Sequence, residues 1–167
     1  MASKTLVPVE EYLRMSFDGP DREYLDGEIR ERHLGSKPHS KGQRRLSRFF
    51  DNLSDSYSLH PFPDLRVKIS DRHYLVPDIA VYFGNEPEEN VPSYPAELVV
   101  EVVSEDDRQV EILEKLAEFH AWGVKHIWVV DPWTRKLFVY NNSGYHEVLS
   151  FELPEFGAKI SPAEIFN

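Results

Sequence analysis

Apolar and polar residues recur along this chain with enough regularity to predict most of its elements. The clearest pattern lies between Pro95 and Pro132, where apolar runs at Leu98 to Val103 and His126 to Val130 flank a helically spaced stretch ending at Trp122-Gly123. It predicts strand, helix, strand. Ser104 is the candidate N-cap, followed by three acids that suit the positive end of a helix dipole. Val110, Leu113, Leu116, Ala117, His120 and Ala121 form the predicted buried face, which leaves Lys115 on a flank beside Ile112 and Phe119.

Upstream, Val9 to Met15 reads as a short helix, and DREYLDGEIRERHL as two strands about a tight Asp26-Gly27 turn. His39 to Asn52 is helical, with Leu46, Phe49, Phe50 and Leu53 on one stripe. Leu65 to Ile69 and Leu75 to Phe83 read as strands joined by Ser70-Asp71-Arg72, and EPEENVPSYP as an exposed loop. Leu137 to Tyr140 pairs with His126 to Val130, and YHEVLSFELPEF adds a last strand or two. The expected fold is α/β, with a central mixed β-sheet containing the Asp78, Glu101 and Trp128 strands, flanked by helices.

A length of 167 residues with 41% hydrophobic content predicts one domain over residues 1–167. No apolar run approaches the roughly 20 residues that span a bilayer, and the first residues lack a signal-peptide core, so a soluble, cytoplasmic protein with no membrane partner is expected. The absence of cysteine excludes disulfides and thiolate metal sites, leaving oxygen or histidine to hold any metal. The seven histidines show no zinc-like pairing, and neither a glycine-rich phosphate loop nor a nucleophile elbow is present.

A net charge of −10 argues against general affinity for nucleic acid. Yet from Arg30 to Arg48 there are seven Lys or Arg against the single acid Glu31. Lys41, Arg44, Arg45 and Arg48 lie opposite the apolar stripe of their helix, either as a docking face for a polyanion or as a solvated face without a partner.

Two acids stand inside apolar strands. Glu101 lies among Leu98, Val99, Val100, Val102 and Val103; Asp78 shares a strand face with Ala80 and Tyr82. Charge there is costly unless it is paired or coordinated. Carboxylates converging from two strands, with Lys115 14 residues after Glu101, suit oxygen ligation of Mg²⁺ or Mn²⁺ and phosphodiester chemistry. The competing reading has two acids satisfied by hydrogen bonds or salt bridges, with Lys115 as a surface partner of Glu111. Glu23 and Glu28, on either side of the hairpin turn, are solvent-facing charges or further carboxylates for such a site.

VPDIAVY, ELVVEVVS and the series running Arg108, Lys115-Leu116, Phe119, Trp122-Gly123-Val124 and Ile127 to Pro132 resemble the Uma-type family of restriction-endonuclease-like proteins, a branch of the PD-(D/E)xK nuclease superfamily. REYLDGEI and the His39-Ser40 pair extend the resemblance over nearly the whole chain. It implies a restriction-endonuclease-like core, with Asp78 as the acid of the Pro-Asp motif and Glu101 as the central acid of the second motif. The usual lysine position holds Val103, so the resemblance passes that role to Lys115, and it makes Glu28 an accessory acid. It further implies Mg or Mn on Asp78 and Glu101, DNA as substrate and a homodimer. Where the family commonly reads Ser-Pro-Ser, this chain has Ser104-Glu105-Asp106, placing acids beside the cleft. The function expected is a divalent-metal-dependent endonuclease that hydrolyses DNA. The alternatives are a catalytically silent nuclease-fold module that binds nucleic acid or acts as an interaction protein, and an enzyme for a small phosphorylated molecule.

Overall fold

A computed structural model describes residues 5–167. The chain runs through α1 (Val9–Tyr12), β1 (Glu23–Leu25), β2 (Glu28–Arg30), α2 (Lys37–Ser54), β3 (Leu59–Pro63), β4 (Val67–Ser70), β5 (His73–Leu75) and β6 (Ile79–Phe83). It continues through β7 (Leu98–Val102), α3 (Gln109–Trp122), β8 (His126–Asp131), β9 (Lys136–Asn141), β10 (Gly144–Val148), β11 (Phe151–Leu153), β12 (Ala158–Ile160) and α4 (Pro162–Phe166). A mixed six-stranded sheet of order β10-β9-β8-β7-β6-β3 is the centre; β7 and β8, joined by α3, are its parallel pair. A four-stranded sheet of order β2-β1-β5-β4 and the hairpin β11-β12 complete the strands. No helix among the described residues is long and apolar enough to cross a membrane.

The pleat of β7 assigns its side chains to two cores. Leu98, Val100 and Val102 join Ile79, Val81, Trp128 and Val130 on one side, under Leu46 and Phe50 of α2. Trp128 stacks there on Phe151, with ring centroids 4.4 Å apart. Gly42 lets α2 come close, because a Cβ at that position would meet Val102 Cγ1 at 3.4 Å. On the other side Val99, Ala80, Tyr82, Ile127 and Val129 pack against Leu116 and Phe119 of α3. Full burial of each such side chain contributes about 1.5–3 kcal/mol. Strand alternation puts Glu101 on this α3 side.

Three elements differ from the sequence pattern, and two of the differences build the site. The run from Leu75 to Phe83 is not one strand: β5 belongs to the four-stranded sheet, β6 to the six-stranded one, and residues 76–78 cross between them. The Pro77 ring, with no N–H to donate, suits that break in pairing. Helix α3 starts later than Ser104 suggests: Arg108 takes the N-cap position, while the Ser104 N–H donates to Asp107 Oδ2 at 2.6 Å. Its buried stripe is also rotated, with Phe119 buried and Val110 63% exposed. Apolar residues cover more than one face of this helix, so the expected stripe holds at Leu113 and Leu116 but fails at Val110, and Phe119, Ile112 and Trp122 join the packed face. The rotation turns Lys115 from the flank toward the sheet. The third difference is β3, an edge strand paired to β6 and hidden in the sequence by Pro61 and Pro63.

A third core holds the β1-β2 hairpin in place. Tyr12, Tyr24 and Tyr74 are buried together; Tyr24 stacks on Tyr12 at 4.9 Å, and its hydroxyl donates to the Val7 carbonyl at 2.8 Å. With Tyr24 inward, the neighbouring Glu23 must point the other way, toward the gap between the two larger sheets.

Candidate active site

Register brings the two strand acids together. Ile79, the first residue of β6, pairs with Val100, so Asp78 just before it comes to the Glu101–Val102 end of β7, where the Val102 N–H reaches its carboxylate and its charge acts on Glu101. Asp78 is 3% exposed. Its Oδ1 accepts from Arg32 Nη2 at 2.7 Å, its Oδ2 from the Val102 N–H at 2.6 Å, and His39 Nε2 lies 3.3 Å from Oδ2. Arg32 also reaches Asp64 Oδ1 at 3.0 Å. Gln43 Nε2 ties the Asp78 carbonyl (2.9 Å) to Asp64 Oδ2 (3.1 Å).

Lys115 reaches in from α3. Its Nζ lies 2.9 Å from Glu101 Oε1 and 2.8 Å from Glu23 Oε1, and donates to the Val76 carbonyl at 3.0 Å. The Val76 N–H donates to the same Glu23 oxygen at 3.0 Å. Both main-chain groups of Val76 are thus fixed by site side chains, and this holds the crossing segment that carries Asp78.

Burial disfavours every charge in this cluster, and the partners decide the outcome. Glu101 is pushed up to about 8 by burial, which Lys115 opposes and the Asp78 charge reinforces. Burial works the same way on Asp78, but His39 and Arg32 outweigh it and hold the carboxyl below its usual range. Burial lowers Lys115, yet Glu101 and Glu23 raise it more. Glu23 thus gives Lys115 a second carboxylate partner beside Glu101. Asp78 likewise raises His39 against burial.

The cluster forms the floor of an open cleft of about 800 Å³. Ten carboxylates line it, against Arg30, Arg32 and Lys115 as permanent cations. Glu101 Oε1 is buried and, apart from its ion pair with Lys115, has no hydrogen-bond partner. Two facing hard-oxygen donors, one of them incompletely satisfied, fit Mg²⁺ or Mn²⁺ in chemistry. Among the described residues no group of three or more acids or histidines converges on one point. Asp78 and Glu101 would therefore be the side-chain ligands, with main-chain carbonyls or water completing the shell.

Of the residues singled out from the sequence, Asp78, Glu101 and Lys115 come together. Glu28, opposite Leu25 in the hairpin, does not line the cleft; the hairpin acid that meets Lys115 is Glu23. The basic face of α2 splits in two. Lys41 Nζ donates to the Phe166 carbonyl at 3.0 Å and Arg45 Nη2 to the Asn167 carbonyl at 2.9 Å, so these two fasten the C-terminal segment, while Arg44 and Arg48 are exposed. Arg32, His39 and Gln43 were not singled out as site residues. Their signal was indirect: a buried acid requires a partner, and the nearest basic segment runs from Arg30 to Arg48.

Residues 9–167 match the model of the Uma2 family, described as "Putative restriction endonuclease". No curated protein matches the sequence. Among solved structures, the crystal structure of a "putative nuclease belonging to DUF820" from Anabaena variabilis is similar with a TM-score of 0.81. The match covers 95% of this chain and 98% of that one at 21% identity, which shows a shared fold. The fold is restriction-endonuclease-like, and the chain belongs to the Uma2 family.

Proposed function

We propose that the cleft hydrolyses phosphodiester bonds of DNA as an endonuclease dependent on Mg²⁺ or Mn²⁺. The observation that carries this reading is the meeting of three side chains from three elements: Asp78 beside the Glu101–Val102 end of β7, and Lys115 Nζ 2.9 Å from Glu101 Oε1. Asp78 and Glu101 would hold the cation, which would supply Lewis-acid chemistry for phosphodiester hydrolysis. Lys115, fixed by two acids and a carbonyl, presents a preorganised positive charge to the oxygens that gain charge in the transition state. Glu23 preserves that charge and aims it. The cleft itself repels a polyanion, so approach falls to cations beside it; Arg44 and Arg48 are exposed on the helix whose His39, Ser40 and Gln43 line the cleft. Cutting both strands requires two sites, hence a homodimer, which sedimentation at low micromolar concentration tests.

One observation favours the silent binding module: both strand acids already have side-chain cations, Arg32 on Asp78 and Lys115 on Glu101. Calorimetric titration with Mn²⁺ beside a plasmid-nicking assay separates the two. The endonuclease reading expects a saturable Mn²⁺ heat and nicking, both lost in Asp78→Ala and Glu101→Ala, because one anionic ligand cannot alone dehydrate the ion. No heat and no nicking in the unmodified protein would leave the silent module.

A further inference from the structure

Arg32 lies on a segment with little else to hold it. Residues 31–36, between β2 and α2, form neither strand nor helix, and among the described residues no main-chain hydrogen bond ties residues 31–35. What places the segment is side-chain pairing: Arg22 with Glu31 at 3.1 Å, Arg32 with Asp78 and Asp64, and His33 3.6 Å from Asp107. Arg32 is the deepest of these, with its side chain 12% exposed.

The two oxygens of Asp78 are not equally available to an incoming ion. Oδ2 is engaged by the Val102 N–H, a main-chain group inside the sheet, and by His39. Oδ1 faces Arg32 alone among the contacts of Asp78. Oδ1 is therefore the oxygen Asp78 would offer a divalent cation, and a guanidinium already stands 2.7 Å from it. Two cations cannot both sit there without strong repulsion in so buried a site. Asp64 offers Arg32 a second anchor nearer the solvent, its side chain 48% exposed.

Resting on the metal-dependent reading above, we infer that Arg32 is the resident cation of the metal-free site, a positioning residue that neutralises Asp78 until a divalent ion displaces it. On displacement Arg32 keeps its pairing with Asp64 and turns its free N–H groups toward the cleft, where a phosphate can accept them in a bidentate geometry. The exchange keeps Asp78 compensated throughout, which a buried carboxylate requires. It also accounts for an arginine, with its forked guanidinium, bridging two acids at once.

The test is Mn²⁺ calorimetry on the unmodified protein, Arg32→Gln and Arg32→Lys, with circular dichroism melts to verify folding. Losing a merely structural residue would weaken metal binding; losing a competitor tightens it. The expected result is Mn²⁺ affinity about tenfold higher in Arg32→Gln and intermediate in Arg32→Lys, which keeps the charge but cannot bridge both acids. Without metal, Arg32→Gln should melt at a lower temperature, and saturating Mn²⁺ should raise its melting temperature more than that of the unmodified protein. Should Arg32→Gln fail to fold, Arg32→Lys carries the test alone. Unchanged or weaker Mn²⁺ affinity in a folded variant, with the unmodified protein binding normally, would overturn the role of Arg32 while leaving the metal reading intact. No Mn²⁺ heat in any of the three proteins would overturn both.

Discussion

The parallel pair β7-β8 carries an acid set between cations near each of its ends, and the two acids behave in opposite ways. Near the C-terminal end of β7, Glu101 meets Lys115 in a buried cluster and is pushed up to about 8. At the N-terminal end of β8, Glu155 Oε1 lies 2.6 Å from Lys125 Nζ and 2.7 Å from His126 Nε2 and is lowered to about 2. Both acids have close partners. The difference is that Glu101 is buried with Asp78 and Glu23 as further anions, whereas Glu155 is held by two cations, one of them, Lys125, 64% exposed. An exposed acid among cations is satisfied by them. A buried acid among acids retains a demand for positive charge, the property a metal-binding site needs, and it stands at the carboxyl end of a parallel strand, where α/β sheets commonly bind ligands.

The comparison breaks most readily at Lys115. If the buried end is catalytic, Lys115→Ala should lower hydrolysis by on the order of 10²–10³ while Mn²⁺ binding persists or tightens, because the lost charge matters chiefly in the transition state. Single-turnover nicking together with Mn²⁺ titration reads both quantities. A parallel loss of metal binding would make Lys115 a structural support instead. Glu23→Gln sharpens the same point with a smaller effect. The amide oxygen can still accept from Val76 N–H, so what is lost is the difference between a charged and a neutral partner for Lys115, roughly 1 kcal/mol or about a fivefold fall in rate. An unchanged rate in a folded Glu23→Gln would remove Glu23 from the site.

How far each end could be read from the sequence follows from the range of the forces involved. Glu101 and Asp78 announced themselves because a charge inside an apolar run is a local anomaly, although Asp78 precedes β6 and its side chain is held by Arg32, His39 and the Val102 N–H and not by its place in a strand. The parallel pair and its helix were legible as two apolar runs around one helical period. Lys115 was found through motif resemblance and misplaced by periodicity, since α3 has apolar residues on several sides and tertiary packing selected the stripe with Phe119. Glu23 was equivocal because its direction depends on Tyr24 entering a cluster with Tyr12 and Tyr74, residues distant in sequence. Arg32 was silent as a site residue: it sits in a stretch with no period, and its role comes from Asp78, on another element. Lys41 and Arg45 looked equivalent to Arg44 and Arg48 until the C-terminal carbonyls took them.

The smallest effect belongs to the exposed end and is read as a pH dependence. Burial, the largest single influence, raises Glu155, but the hydrogen bonds from Lys125 and His126, with a main-chain hydrogen bond, together outweigh it and bring the carboxyl from 4.5 to about 2. A carboxyl lowered in the folded state binds fewer protons there than in the unfolded chain, so its stabilisation is fully present above about pH 4.5 and disappears as pH falls toward 2. Solvent screening keeps the contribution to about 0.5–1 kcal/mol, as for other exposed pairs. Urea unfolding of the unmodified protein and Glu155→Gln between pH 6 and the lowest pH at which both still fold measures it. The stability difference should be constant at the upper end of this range and shrink steadily below about pH 4.5. If the difference instead stayed constant on acidification, Glu155 would be acting through packing near Phe156 and not through its charge, and the contrast between the two ends of β7-β8 would lose its electrostatic basis.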